Sequence, residues 1–428
     1  MNRPLAHGVG SSHDLPISPF HAYAGAFAAL FVSFLALGLL WSASRFRGAD
    51  GGRPLPAAVR RAADAPALRT GLRGLGLLAG AAVCLFLLAG PDDPDRNPAP
   101  GAVHVLFWVG LVPASLLLGP VWRLLNPLRA LHTGLCRALR RDPATGPVPL
   151  PDRLGHWPAA AGLLAYTWLE LASPEPASAG ALLAFLTGYA LVQLAGAGLC
   201  GRGWFDRCDA FEVYSALLGR LAPVGRRADG RLVLRNPFDG LDATPAAPGL
   251  VATVCVMLGS TAYDGFSDAP SWIDTVQTSP LGRTPTATLG LLGAVALVGV
   301  LHSVCAGVVR LISGPVPHPF TAFVHALLPI AAGYLIAHYC TLLLTEGPRT
   351  LLLAAGSRPA DGPAPPLGPG ALAALQVTAV VTGHVLGVVA AHDRAVRLFP
   401  AARAVAGQLP ILVLMIVFTL GGIGLLIA

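Results

Sequence analysis

The chain has 428 residues, of which 54% are hydrophobic and 12% are charged, and its mean hydropathy is +0.63. Soluble domains carry about a quarter charged residues, so the composition excludes a large water-soluble domain and indicates a polytopic membrane protein. The formal net charge is +7, but the arginines that supply it lie between apolar segments and form no basic domain. Nucleic acid is therefore not expected as a partner.

Ten apolar stretches follow one another along the chain, each near the ~20 residues that cross a hydrocarbon core. We expect them at 20–41, 71–90, 102–121, 156–172, 179–200, 249–266, 286–312, 320–345, 370–392 and 409–428. The predicted fold class is all-α. Residues 1–428 form one integral membrane domain, a bundle of about ten transmembrane helices with amphipathic interfacial helices in its cytoplasmic loops.

The arginines predict the orientation of this bundle. Loops 42–70, 122–155 and 201–248, together with the basic ends of the late segments, hold 24 of the 29 arginines. By the positive-inside rule these loops, including the basic loop 201–248, are cytoplasmic and both termini are outside. The 50 glycines and 39 prolines, with no lysine, are typical of a GC-rich bacterial genome. The expected location is a bacterial plasma membrane, whose bilayer and anionic headgroups at the cytoplasmic face are the expected partners.

Two cytoplasmic segments have helical spacing. In "NPLRALHTGLCRALRR" (126–141) leucines recur every three or four residues among arginines, as expected of an interfacial helix on anionic headgroups. "CDAFEVYSALLGRLAP" (208–223) carries a second apolar stripe, with Asp209 as the predicted N-cap and Glu212 three residues later. "GRLVLRNPFDGL" (230–241) predicts a short strand ended by a turn.

Ionisable side chains inside spans are costly and are therefore candidates for function. Counting ~1.5 Å per residue from the outer end of each span, we place the side chains of His104, Glu170, Asp264 and His338 in the outer part of the membrane. We expect these groups to converge beneath the external segment that carries His7, His13 and Asp14. The predicted site has Glu170 and Asp264 as catalytic carboxylates. Its predicted metal ligands are the histidines and Asp14, that is His7, His13, Asp14, His104 and His338. The alternative is that the carboxylates only mark wet helix ends.

A second candidate site lies near the membrane midplane. His302 and His384 have similar depth on two later spans, where paired imidazoles bind a metal, ligate haem or relay protons. A divalent transition metal is favoured over haem. The alternative for both is an ordinary interhelical hydrogen bond. His325 lies near the cytoplasmic end of its span and is expected to be interfacial.

Several stretches resemble one known family. They are "AHGVGSSHDLPISP" (6–19), "GHWPAAAGLLAYTWLELA" (155–172), "FEVYSALLGRLAPVGRR" (211–227), "LVLRNPFDGL" (232–241) and "GSTAYDGF" (259–266). They resemble the actinobacterial multi-pass membrane proteins usually labelled fenitrothion hydrolase. The resemblance implies a phosphotriester hydrolase that acts on a small apolar ester from the lipid, with a metal-activated hydroxide as nucleophile. The residues that it covers include His7, His13, Asp14, Glu170 and Asp264.

Three classes of function therefore remain open. A membrane hydrolase is favoured by the resemblance and by the outer histidines and carboxylates. A transporter or permease is favoured by the number of spans and the midplane histidines. A metal- or haem-handling assembly protein is favoured by histidines at several depths. The sequence contains no G-x-S-x-G, H-E-x-x-H or Walker A motif.

Overall fold

A computed structural model describes residues 19–314, 318–357, 366–400, 403 and 406–427. Within these residues the predicted all-α fold is confirmed. The helices are α1 (Pro19–Leu40), α2 (Ala57–Asp64), α3 (Pro66–Ala89), α4 (Pro98–Leu118), α5 (Trp122–Leu125), α6 (Pro127–Ala138), α7 (Trp157–Leu171), α8 (Ala179–Cys200), α9 (Gly203–Cys208), α10 (Ala210–Leu218), α11 (Pro237–Asp242), α12 (Leu250–Ser267), α13 (Pro270–Thr278), α14 (Arg283–Ser313), α15 (Leu327–Ala354), α16 (Pro369–Leu398) and α17 (Leu409–Ile427).

In the described part of the chain, eight helices are long and apolar enough to cross a membrane. They are α1, α3, α4, α8, α12, α14, α15 with the turn before it, and α16. The other two predicted spans are also apolar helices: α7 has 15 residues and α17 has 19. At ~1.5 Å per residue α7 is shorter than the ~30 Å hydrocarbon core. A multi-pass membrane protein is thus supported, and ten spans stay a prediction.

Asn-Pro pairs start three of the helices. The side-chain oxygens of Asn97, Asn126 and Asn236 each accept a backbone N–H from the first turn of α4, α6 and α11. Proline in the next position has its φ fixed near the helical value and has no N–H to leave unpaired. Local sequence therefore sets these helix starts before any tertiary packing forms.

Helices α15 and α16 cross at close range. Gly333 and Gly383 face each other there, and a Cβ added to either would lie 2.5 Å from a carbonyl oxygen of the opposite helix. Small residues let membrane helices approach this closely. Close packing then stabilises the pair, because the hydrophobic effect does not drive helices together inside lipid. α12 packs on α7, α14 and α15 and so joins the early and late helices of the bundle.

The two predicted interfacial helices have different outcomes. α6 forms as a helix with Leu131 and Leu135 exposed, but Arg129 is buried. Its position at the membrane interface stays a prediction. The prediction for 208–223 is wrong: α10 has no exposed residue and packs between α4, α5 and α7. Its polar residues Glu212 and Ser215 bond Arg129 and Ser115 inside the protein and so need neither water nor headgroups. Only the N-cap is confirmed, since the Asp209 carboxylate accepts the Glu212 N–H at 2.8 Å.

The predicted cytoplasmic loops meet at one end of the bundle. Strands β1 (Arg53–Pro54), β2 (Val224–Arg226) and β3 (Leu232–Leu234) form a small antiparallel sheet in the order β1-β3-β2, which confirms the strand expected within 230–241. At the same end the buried Asp393 carboxylate accepts bonds from Trp41 Nε1 (3.2 Å) and the Arg45 N–H (2.6 Å). Loops 42–70 and 201–248 therefore lie together beside the end of α16, and which side of the membrane this is stays a prediction.

Candidate functional site

A carboxylate–histidine pair forms the centre of the outer candidate site. Asp264 lies one turn before the end of α12, and His338 and Tyr339 lie side by side on α15. Asp264 Oδ2 is 2.8 Å from His338 Nε2 and accepts a hydrogen bond from the Tyr339 hydroxyl at 2.7 Å. Asp264 is 2% exposed. One buried carboxylate oxygen of α12 therefore binds two neighbouring side chains of α15. Asp264 does not mark a water-exposed helix end.

A second buried carboxyl group lies beside this pair. Glu170 is the penultimate residue of α7, is 3% exposed and lies close enough to Asp264 to interact with it electrostatically. Its Oε2 atom has no hydrogen-bond partner within the described residues. Buried polar atoms without a partner are rare. Glu170 Oε2 is therefore free to bind a proton or a solute.

Aromatic side chains surround Glu170 on its inner side. The Trp108 ring of α4 stacks on Tyr214 of α10 with centroids 4.8 Å apart, and Tyr166 lies 4.9 Å from Trp108. Tyr166 and Tyr214 both lie in electrostatic range of Glu170. Trp108 Nε1 and the Tyr214 hydroxyl are buried and unpartnered in the described part of the protein. Three buried polar atoms in this region therefore lack a partner among the described residues: Trp108 Nε1, the Tyr214 hydroxyl and Glu170 Oε2.

His104 also belongs to this neighbourhood. It lies in a π-helical segment of α4, Ala102–Val109. The Gly110 N–H donates to the carbonyl of Val105, five residues earlier, as in a π-helix. His104 Nδ1 is 3.1 Å from the Tyr166 hydroxyl and Nε2 is 3.1 Å from the Pro176 carbonyl. Both ring nitrogens therefore bond groups other than the carboxylates. The predicted convergence of His104 with Asp264 and Glu170 stays a prediction. π-Helical turns occur often at functional sites.

The described residues alone do not fit the predicted metal site. Among them, no three or more His, Cys, Asp or Glu side chains are placed to hold a metal ion. The remaining predicted ligands, His7, His13 and Asp14, lie outside the described residues. A metal here stays a prediction that depends on those three side chains.

The midplane histidines do not form a pair. His302 Nε2 is 2.7 Å from the Phe320 carbonyl, and His384 Nδ1 is 2.8 Å from the Val380 carbonyl of its own helix. The helices that carry them pack mainly on other helices, α14 on α12 and α17, and α16 on α15 and α1. Each imidazole bonds a backbone carbonyl, but neither bond joins two helices, because Val380 lies on the helix of His384 and Phe320 lies in the turn before α15. His325 is buried beside the start of α15, and its position at the membrane interface stays a prediction.

A second set of buried ionisable groups, which the sequence did not predict, lies at the start of α10. Arg129 binds both carboxylate oxygens of Glu212 at 2.7 Å and Asp206 at 2.9 Å. Asn126 Nδ2 donates to Glu212 at 2.8 Å and to Asp209 at 3.2 Å. We call these five residues the inner network. In the sequence, the spacing of Asn126 and Arg129 indicated only a helix, and that of Asp209 and Glu212 indicated only an N-cap. Neither pattern indicated that the two segments contact each other.

Burial governs the charges of the inner network. Burial and the nearby Glu212 carboxylate raise the pKa of Asp209 to about 7. Burial disfavours the charged Arg129 guanidinium, but its bonds to Glu212 and Asp206 more than offset this and raise its pKa. Arg129 therefore keeps its charge at neutral pH, while Asp209 carries a proton part of the time.

Comparison of the chain with family models, curated proteins and solved structures gives no match. The chemistry of the site must therefore be argued from its own residues. Asp264 with His338 can hold a proton between them, and Glu170 can hold another. The arrangement suits proton uptake and release, or general-base catalysis.

Proposed function

We propose that this protein is a proton-coupled permease whose proton-binding centre is Asp264, His338, Tyr339 and Glu170. The observation that carries the proposal is the charge composition of this centre. The buried carboxyl groups of Asp264 and Glu170 interact electrostatically, and the His338 imidazole contacts Asp264. Within the described residues no arginine pairs with either carboxyl group. Ionisable groups inside membrane domains commonly belong to ion pathways and proton relays.

The charge count explains why such a centre exchanges protons. Two carboxyl groups and one imidazole are neutral overall when together they hold two protons. An unbalanced charge in a dry interior costs several kcal/mol. A cation that binds there therefore favours release of one proton, and an anion favours uptake of one. Proton movement and solute binding are thereby coupled through electrostatics alone.

The individual roles follow from the contacts. His338 and Asp264 share one proton along their 2.8 Å contact, and the Tyr339 hydroxyl stabilises the Asp264 carboxylate when that proton lies on the imidazole. Glu170 Oε2 holds the second proton or faces the solute. On the predicted orientation Asp264 and Glu170 are near the outer ends of α12 and α7, while His338 and Tyr339 lie near the middle of α15. The centre therefore exchanges protons with the outside through its two carboxyl groups.

Proton flux into proteoliposomes tests the proposal. The full chain is reconstituted with an internal pH dye and challenged separately with sodium, potassium, tetramethylammonium and succinate gradients. We expect at least one gradient to drive proton movement, and Asp264→Asn and Glu170→Gln to abolish it. Glu346→Gln is the matched control, because Glu346 lies on α15 but is paired with Arg349 at 3.1 Å. No flux above protein-free liposomes, or equal flux in all variants, contradicts the proposal.

Ester hydrolysis is a second candidate, favoured by the same carboxylate–histidine contact and by the family resemblance. An imidazole oriented by a carboxylate is an effective general base. In this role His338 removes a proton from water, the resulting hydroxide attacks phosphorus, and the aryl oxygen leaves. Asp264 orients the ring and balances the imidazolium. We propose an aryl phosphorothioate triester as substrate, as the resemblance implies.

Release of nitrophenolate from a nitrophenyl phosphorothioate measures this activity directly. His338→Gln and Asp264→Asn should lose it, and Glu346→Gln should keep it. Elemental analysis of the same samples shows whether a metal is bound. Hydrolysis no faster than in protein-free micelles contradicts the hydrolase and leaves the permease proposal untouched.

A further inference from the structure

A cavity lined by both polar and apolar side chains lies at the arginine-rich end of the bundle. It adjoins the starts of α12 and α15, whereas Asp264 and His338 lie further along these helices. Its volume is about 170 Å³. A water molecule takes ~30 Å³ of liquid volume, so the cavity has room for several waters or one tetrahedral oxyanion. It is bounded by Thr244 and Ala246 before α12, by Thr321, Ala322, Val324 and His325 at the start of α15, and by Arg394 and Leu398 at the end of α16, with His318 also lining it.

The polar groups on the wall of this cavity are mainly donors. They comprise one arginine, two histidines and two threonines, and no carboxylate is among the described lining residues. Arg394 Nε is buried without a hydrogen-bond partner there, and so is Thr244 Oγ1. A guanidinium Nε–H can only donate. The Arg394 Nε–H therefore lacks a hydrogen-bond acceptor. A ligand oxygen in the cavity could accept from it, and the Thr244 hydroxyl could donate to the same ligand.

Arg394 is held in place from its other side. Its terminal nitrogen donates to the Asp242 carbonyl and to Asp242 Oδ1, both at 3.0 Å. Asp242 also binds Arg397, which does not line the cavity. The Arg394 guanidinium is thus fixed by one carboxylate while its Nε–H remains for a ligand. Arginine fixed in this way is suited to phosphate oxygens.

We propose that this cavity binds a phosphate group through Arg394 and Thr244, whose Nε and Oγ1 atoms lack a partner among the described residues. The arginine-rich surroundings attract anions to this end of the bundle. Two sources have the same chemistry: the headgroup of an anionic phospholipid, and free inorganic phosphate. Basic pockets between helices at the cytoplasmic face commonly bind lipid headgroups. The site is independent of the proton centre and of the function proposed for it.

Two probes distinguish the sources. The full chain is placed in phosphatidylcholine nanodiscs, and its thermal midpoint is followed against inorganic phosphate, with chloride at equal ionic strength as the reference. A ligand that binds only the folded chain raises the midpoint with concentration. Native mass spectrometry then measures retention of phosphatidylglycerol against phosphatidylcholine. A phosphate-specific rise assigns free phosphate, and preferential retention of phosphatidylglycerol assigns a lipid headgroup.

Three variants locate the binding. Arg394→Gln should weaken it at least about tenfold, since it removes a charge-assisted bond. Thr244→Val, of nearly equal volume, should weaken it severalfold and keeps the test valid if Arg394→Gln folds poorly. Arg397→Gln is the matched control: it removes a contact to the same Asp242 but should leave binding within about threefold. Binding by neither probe overturns the proposal, as does equal weakening in Arg394→Gln and Arg397→Gln or wild-type affinity in Arg394→Gln and Thr244→Val.

Discussion

Replacing Arg129 by glutamine should destabilise the protein more than any other single loss of an arginine in its loops. Arg129 is 6% exposed and supplies the cation to a network with three carboxylates. Glutamine keeps part of the side-chain length but removes the charge and the two-pronged contact with Glu212. Glu212 and Asp209 would then be buried together without a positive partner.

The size of the effect follows from burial. Removing one partner of a buried ion pair costs ~3–5 kcal/mol, because the remaining charge stays desolvated. Arg123 provides a comparison on the same carboxylate: it binds Asp206 at 3.0 Å but is 57% exposed. An exposed pair contributes at most ~1 kcal/mol. We therefore expect a difference of ~2–4 kcal/mol between Arg129→Gln and Arg123→Gln.

Unfolding of the purified variants in mixed micelles of rising SDS content, followed by circular dichroism, measures these costs. The double variant Arg129→Gln/Glu212→Gln should recover part of the loss, since the unpaired charge is gone. Equal costs for Arg129→Gln and Arg123→Gln would refute the assignment of the inner network as a buried, structure-determining ion pair.

Three further predictions rest on single contacts. Burial, with a neighbouring carboxylate, raises the pKa of Asp209 from 3.8 to about 7, so between these pH values the folded chain keeps a proton that the unfolded chain releases. Stability should therefore fall as the pH rises from about 4 to about 7. Asp209→Asn should make the thermal midpoint less dependent on pH between pH 5 and 8. Gly383→Ala places a methyl 2.5 Å from the Pro329 carbonyl oxygen and should lower stability by ~1–3 kcal/mol in the same SDS titration; an unchanged midpoint would contradict the close crossing. Asp393→Asn weakens the attachment of loop 42–70 and should speed tryptic cleavage after Arg45, with cleavage at wild-type rate as the contrary outcome.

The helices were predictable because they depend on local properties of the sequence. A run of apolar residues determines a span, and Asn before Pro determines a helix start. Depth along a span is also local, which is why Asp264, Glu170 and His338 were expected in one layer and are found together. The partners of His104, Tyr166 and the Pro176 carbonyl, were not predictable, because depth does not give the direction in which a side chain points.

The inner network was not predictable because its partners are distant in sequence. Arg129 and Glu212 are 83 residues apart, and each lies in a segment that fits an interfacial helix equally well. The burial of α10 required knowing that α4, α5 and α7 leave a space for it. Aromatic residues such as Trp108 and Tyr214 are common in apolar segments, so the sequence did not mark them as polar candidates. Only the three-dimensional structure shows that Trp108 Nε1 and the Tyr214 hydroxyl lack partners among the described residues.

The two sets of buried acids differ in one respect that assigns them different roles. In the inner network a guanidinium, which is always charged, makes three hydrogen bonds to Glu212 and Asp206. The outer centre has only an imidazole, whose charge depends on its proton. A carboxylate balanced by arginine keeps its partner and holds α10 in place. A carboxylate balanced by histidine must gain or lose a proton whenever another charge approaches. We therefore infer that the inner network maintains the structure and that the outer centre carries out the chemistry.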